Sequence, residues 1–278
     1  MVHATQVKVK FRIFRSGYCL ADARMVNPQT RRETIRFHAT WLLLEHPVHG
    51  NILFDTGYTT RFYRATARLP YRLYAWATPV FITEPESAVA QLRSIGVLPE
   101  TISTILISHF HADHIGGLRD FPGSRFVCSQ SALDEAVGKK GFAAVRKGIL
   151  PGLLPHDLRQ RTTVLESLAE PRTEAHSGLV MYDLFGDGSV QLIELPGHAR
   201  GMLGARIEHA GGAFLFAADA FWDIRAFEAG IMPRKVVKLF FDSWRDYVSS
   251  FEKLSAYHRV WPFEKILFSH CPETPYET

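Results

Sequence analysis

An α/β fold is predicted for this 278-residue chain. Apolar runs of strand length recur from one end to the other, helix start and stop signals fall between them, and no stretch has the composition of a linker. One domain over residues 1–278 is therefore expected. Hydrophobic residues make up 46% and charged residues 22%, the balance of a packed globular protein rather than a disordered one.

VKVKFRIF (7–14) alternates Val7, Val9, Phe11 and Ile13 with Lys8, Lys10 and Arg12, so it reads as a half-buried strand. TWLLLE (40–45) and NILFDTG (51–57) are apolar runs joined by a Pro and Gly turn, which predicts a hairpin. EPESAVAQLRSIG (84–96) opens with acids and a proline, spaces Val89, Leu92 and Ile95 along one face, and closes on glycine, the signature of a helix. TILIS (104–108) has the density of a buried strand. RFVC (125–128), VQLIEL (190–195), LGARIE (203–208), AFLFAA (213–218) and KILFS (265–269) predict further strands, and helices are expected over 131–137, 141–147 and 243–257. Such a mixture suits two sheets packed face to face with helices outside, or one doubly wound sheet, and periodicity alone does not choose between them.

The chemistry concentrates in ISHFHADHIGGL (107–118), where His109, His111, Asp113 and His114 follow an apolar strand. Two histidines one residue apart at a strand end can converge on one ion as the chain turns. Asp113 and His114 come after the turn and face a neighbouring position, so the layout suits two ions, between which water becomes a hydroxide near neutral pH. Four side chains do not close two coordination shells, so more ligands are needed at other strand ends. His198 follows VQLIEL, Asp219 follows AFLFAA and His270 follows KILFS.

HFHADH, PGHARG, the strand-final Asp219 and the C-terminal His270, with LFDTG upstream, resemble the metallo-β-lactamase superfamily in order from about Val7 to His270. The resemblance implies a four-layer αβ/βα sandwich with metals at one edge between the sheets. It implies that His109, His111 and His198 hold one ion, that Asp113, His114 and His270 hold the other, and that Asp219 bridges them. It also implies that Asp55 of LFDTG accepts the second N–H of a ligand imidazole. Such a donor set fits two zinc ions per chain, and iron, manganese or cobalt are also accepted by imidazole and carboxylate. Cys271, beside His270, would be an extra thiolate to a ligand set that is complete without it.

Within that family the chain looks most like the lactonases that open N-acyl-homoserine lactones, the quorum-quenching branch. The resemblance then implies attack by a metal-bridging hydroxide, with Asp113 carrying the proton to the leaving oxygen. Those lactonases place a tyrosine three residues after the bridging aspartate, whereas this chain has Trp222, a donor that cannot accept. Phosphotriester and aryl-ester hydrolases, and a mono-iron persulfide dioxygenase, are the alternatives that share the metal core. Two segments, near 58–81 and 138–161, carry aromatic and aliphatic residues among basic ones. They are expected to form a substrate pocket or a homodimer surface, with Phe62, Tyr63, Trp76 and Trp222 as pocket residues.

The net charge of +4 is mild, and no RNA-gripping insertion is visible, so a small molecule is expected as partner rather than nucleic acid. No signal-like N-terminal run and no bilayer-length apolar stretch are present, and Cys19, Cys128 and Cys271 are odd in number. A cytoplasmic protein with reduced thiols and no membrane insertion is the expectation.

Overall fold

The computed structural model describes residues 7–271, so the first six and last seven residues of the expected domain lie outside the described residues. Two sheets face each other. The larger has the spatial order β4 (Val80–Phe81), β1 (Lys10–Asp22), β2 (Thr34–His46), β3 (Gly50–Phe54), β5 (Ile102–Leu106), β6 (Arg125–Cys128) and β7 (Thr162–Val164). The smaller runs β13 (Lys265–Leu267), β12 (Gly212–Phe216), β11 (Leu203–His209), β10 (Val190–Glu194), β9 (Val180–Asp183) and β8 (Pro171–Thr173). Both are mixed: β3, β5, β6 and β7 pair in parallel, as do β12 and β13, and the other pairs are antiparallel.

The layering follows from the two-residue period of a strand. Leu42, Leu44, Ile52, Phe54 and Leu106 point into the space between the sheets, where they meet Leu192, Phe214, Phe216 and Leu267. Their neighbours Trp41, Leu43, Leu53 and Ile105 point outward onto one helical layer. Ile193, Leu215, Ile266 and Phe268 point outward onto the other. Burial on both faces is why these strands read as continuous apolar runs rather than alternating ones. Sheet on sheet with helices outside is thus the architecture, and the doubly wound alternative is set aside.

Where sequence and structure differ, the reasons are local. β1 begins at Lys10 rather than Val7, and it continues to Asp22 through a register shift between Arg15 and Tyr18. The helix expected over 84–96 is a 3₁₀ turn, Glu84–Glu86, followed by a helix at Ala88–Ser94, because Ser87 restarts it by capping the N–H of Ala90. The segment 58–81 folds into helices Arg61–Ala65 and Arg72–Ala77 and then β4, and 138–161 contains helices Gly141–Arg146 and Leu158–Arg161. Phe62, Ala144, Ile149, Leu150 and Leu153 anchor both segments in the core outside the larger sheet. Among the described residues no helix is long and apolar enough to cross a membrane.

Candidate metal centre

All seven expected donors come together at one edge of the sandwich, where strands of both sheets end. The larger sheet supplies His109, His111, Asp113 and His114 from the single loop and helical turn after β5; the smaller supplies His198, Asp219 and His270 from the loops after β10, β12 and β13. Local backbone geometry is unusual there. Asp55 has φ 62° and Ala218, immediately before Asp219, has φ 45°, each costing a non-glycine residue on the order of 1–3 kcal/mol that the surrounding packing must offset.

The donors form two groups, His109, His111 and His198 in one and Asp113, His114, Asp219 and His270 in the other, each with one donor atom per residue within 4.8 Å of its fellows. In the first, Nδ1 of His111 lies 3.0 Å from Nε2 of His109 and 3.0 Å from Nε2 of His198. In the second, Asp113 Oδ2 is 3.5 Å from His114 Nε2 and 3.4 Å from His270 Nε2. Asp219 stands between the groups, with Oδ2 2.9 Å from His270 Nε2 and 3.3 Å from His198 Nε2. Cys271 belongs to neither group.

Electrostatics set the charge that each group carries. Burial drives His109 and His111 below the usual imidazole range and takes His198 to about 3, so all three carry free lone pairs at neutral pH. Burial alone would raise Asp113, but His114 and then His270 hold it down, to about 2, and the same two histidines depress Asp219. Burial would lower His114 and His270, yet the surrounding carboxylates raise both. Orientation is fixed from behind. His114 Nδ1 donates to Asp55 Oδ2 over 2.7 Å, and His270 Nδ1 donates to the carbonyl of His38 over 2.8 Å, leaving each Nε2 aimed at the site.

These residues fit a pair of divalent cations. His114 Nε2 and Asp219 Oδ1 are buried without a hydrogen-bond partner among the described residues, an arrangement that is costly unless something electropositive sits between them. Imidazoles with carboxylates, and no thiolate among the two groups, make a donor set for zinc, iron, manganese or cobalt. The Asp55 contact gives a testable result. Replacing Asp55 by Asn should weaken metal affinity by about 10–100-fold, measured by competition with a chromogenic chelator; unchanged affinity would show that Asp55 serves only the turn.

Several supporting residues carry no signal in the sequence. Ser108 links the motif, its Oγ donating to Asp55 Oδ2 over 2.7 Å and lying 3.0 Å from His109 Nδ1. The ring of Phe37 stacks on His270 with centroids 4.7 Å apart and planes 14° apart. Gly148 has φ 67°, and a Cβ there would lie 2.4 Å from Cδ2 of His111. Gly197, with φ 130°, would place a Cβ 2.2 Å from the backbone nitrogen of Tyr247. Only the contact across the fold reveals what these glycines do.

A cavity of about 650 Å³ opens onto the donors, with His111, Asp113, His198, Asp219 and His270 in its wall. The rest of the wall is mainly apolar and includes Met25, Phe37, Leu73, Val145, Trp222 and Phe240. Of the four residues expected in a pocket, Trp222 lines this cavity. Phe62, Tyr63 and Trp76 are corrections. Phe62 is buried in the core, the Tyr63 hydroxyl accepts from the N–H of Ile82, and Trp76 is exposed and not part of the cavity wall. The second of the two helices, Arg72–Ala77, offers the cavity Leu73, Tyr74 and Ala77 instead. The segment after Gly138 contributes Val145, Arg146 and Gly148.

Known proteins share this fold. A family profile described as the metallo-beta-lactamase superfamily matches residues 34–258. N-acyl homoserine lactonase AttM of Azorhizobium caulinodans is 27% identical over 176 residues, 62% of this chain and 59% of that protein. The chain thus matches about six-tenths of the length of that relative. N-acyl homoserine lactonase AiiB of Agrobacterium fabrum is 28% identical over 222 residues, 73% of this chain and 71% of that one. A solved N-acyl homoserine lactone hydrolase, with the product N-hexanoyl-L-homoserine at its catalytic metal centre, has a TM-score of 0.70 at 22% identity, covering 96% of this chain and 95% of that chain.

Proposed function

The chain belongs to the metallo-β-lactamase superfamily, and from that premise we propose that it is a dinuclear metal-dependent hydrolase that opens a lactone or related carboxylic ester, N-acyl-homoserine lactones being the first choice. The observation that carries this reading is the meeting of two donor groups with the wall of a mainly apolar cavity of about 650 Å³, a size that suits a small amphiphile. Both named relatives are lactonases, which supports the same choice. His109, His111 and His198 would hold one ion, Asp113, His114 and His270 the other, and Asp219 both. Two zinc ions so held would supply Lewis-acid polarisation of the substrate carbonyl and a water nucleophile active near neutral pH.

The chain's own groups account for the remaining steps. The apolar wall takes the acyl chain and excludes bulk water from the ester. Attack of water forms a new C–O bond and breaks the bond from carbonyl carbon to ring oxygen. Asp113, held ionised and reachable from the cavity, takes the proton released by the attacking water and passes it to the leaving oxygen. Trp222 has a buried Nε1–H without a partner among the described residues and lines the cavity beside His198. It is the donor for the acyl carbonyl of the substrate. Three buried cysteines, none of them in a disulfide among the described residues, accord with a reducing compartment, the cytoplasm.

The test combines metal analysis of the purified protein with a panel of lactones of rising acyl length, aryl esters, thioesters and phosphotriesters. About two metals per chain and a preference for longer acyl-homoserine lactones are expected. Faster turnover of a phosphotriester, or oxygen uptake with a persulfide at one iron per chain, would replace this reading. Trp222→Phe keeps ring bulk and removes the N–H, so it should lower kcat/KM on the lactone about tenfold. An unchanged value would leave the indole as wall alone.

A further inference from the structure

Charge is distributed very unevenly in this chain. Residues 58–83 hold Arg61, Arg64, Arg68 and Arg72 and no carboxylate. Residues 138–156 hold Lys139, Lys140, Arg146 and Lys147 and no carboxylate. Residues 229–241 add Arg234, Lys235 and Lys238, again with no carboxylate. These eleven cations exceed the whole chain's net charge of +4, so the remainder carries a net −7.

The three segments are neighbours, because each contributes to the wall of the same cavity: Leu73 and Tyr74 from the first, Val145 and Arg146 from the second, Leu239 and Phe240 from the third. Side-chain contacts hold them together. The Tyr71 hydroxyl accepts from the N–H of Gly141, and Lys147 pairs with Asp242. Arg61 is paired with Asp120. Among the described residues, Arg64, Arg68, Arg72, Lys140, Arg234 and Lys235 make no ion pair and are exposed. Between these cations large apolar side chains face solvent: Leu69 is 63% exposed, Trp76 66%, Phe142 70%, Leu239 77% and Phe240 60%. Leu239 and Phe240 line the cavity itself, and Leu69, Trp76 and Phe142 lie in the two other segments that share its wall, so together they are more than the scattered exposure normal for a soluble surface.

We infer that this rim docks on an anionic lipid bilayer, with the basic residues at the headgroups, Trp76, Phe142, Leu239 and Phe240 entering the interface, and the cavity mouth facing the membrane. Unpaired cations interleaved with exposed aromatic and aliphatic side chains are the composition of an interfacial surface. A second copy of the chain is the poorer occupant, since a two-fold contact through this face would set like charges against like. Docking does not depend on which bond the enzyme cleaves. It does supply a route by which an amphiphile partitioned into the bilayer reaches the cavity without crossing water.

The experiment is sedimentation of the metal-loaded protein with phosphatidylglycerol-rich vesicles and with pure phosphatidylcholine vesicles. Binding to the former only is expected, with a blue shift of tryptophan emission and release as salt rises from about 0.1 to 0.5 M. Arg68→Glu/Arg72→Glu/Lys235→Glu should bind about 100-fold more weakly, and Trp76→Ser/Phe142→Ser about tenfold. These positions are exposed, so unchanged melting curves would confirm that the variants fold. Equal binding to both vesicle types, or no loss in the charge variant, would overturn the inference. So would a wild-type protein that sediments as a dimer while the charge variant is monomeric, which would make the face an interface between copies.

Discussion

Replacing His111 by Ala should lower kcat/KM on any turned-over ester by more than about 100-fold and reduce bound metal from about two to about one per chain. His111 is the hub of its group, with Nδ1 3.0 Å from the donor nitrogens of both His109 and His198. A residue that only orients a ligand already costs 10–100-fold when removed, so losing a donor must cost more. The fold should persist, because the imidazole lies at the cavity wall rather than in any of the three apolar cores. Metal analysis and steady-state kinetics on the folded variant check both parts. Retention of a tenth or more of the activity would move the chemistry elsewhere.

The largest effect on stability is expected at Gly197, which precedes His198. A Cβ there would lie 2.2 Å from the backbone nitrogen and 2.3 Å from the Cα of Tyr247, at a φ of 130° that side-chain-bearing residues rarely adopt. The atoms it meets are backbone near the start of the helix Trp244–Val260, so no rotamer change relieves the contact. Gly197→Ala should cost about 3 kcal/mol or more and lower the melting temperature by roughly 10 °C. Because Asp242 and Ser243 donate backbone hydrogen bonds to the carbonyls of His198 and Gly197, whatever protein folds should also bind metal less well. A thermal scan within 2–3 °C of wild type would show that the loop yields, against the packing described here.

The fold was legible where apolar runs are long and bounded. RFVC coincides with β6, and the runs at 190, 203 and 213 each became a strand within a residue or two. It was illegible at β7, β8 and β9, three or four residues each, with β8 exposed and the other two partly buried, where no periodicity has room to develop. The donors were legible because ligand chemistry restricts residue type and each follows a strand. The cavity wall was not. Phe62, Tyr63 and Trp76 share a short aromatic-rich segment, and whether one faces core, cavity or water depends on how helices of five and six residues sit on the sheet. Phe37 was missed because a phenylalanine in a strand declares nothing about its neighbours. The His38 carbonyl was missed because any residue could have provided it.

The hydrogen bond from His270 to the His38 carbonyl joins the two sheets: His270 follows β13 of the smaller one, and His38 lies within β2 of the larger. Close by, the Thr40 hydroxyl donates to the carbonyl of Ser269, and the N–H of Leu203 to that of Ser108. The edge that gathers the donors is therefore also a seam, and slippage of one half against the other by about 1 Å would misalign the reacting groups at a cost near 100-fold. Mutations deep between the sheets, far from any histidine, should then be felt as lost turnover before they are felt as lost structure.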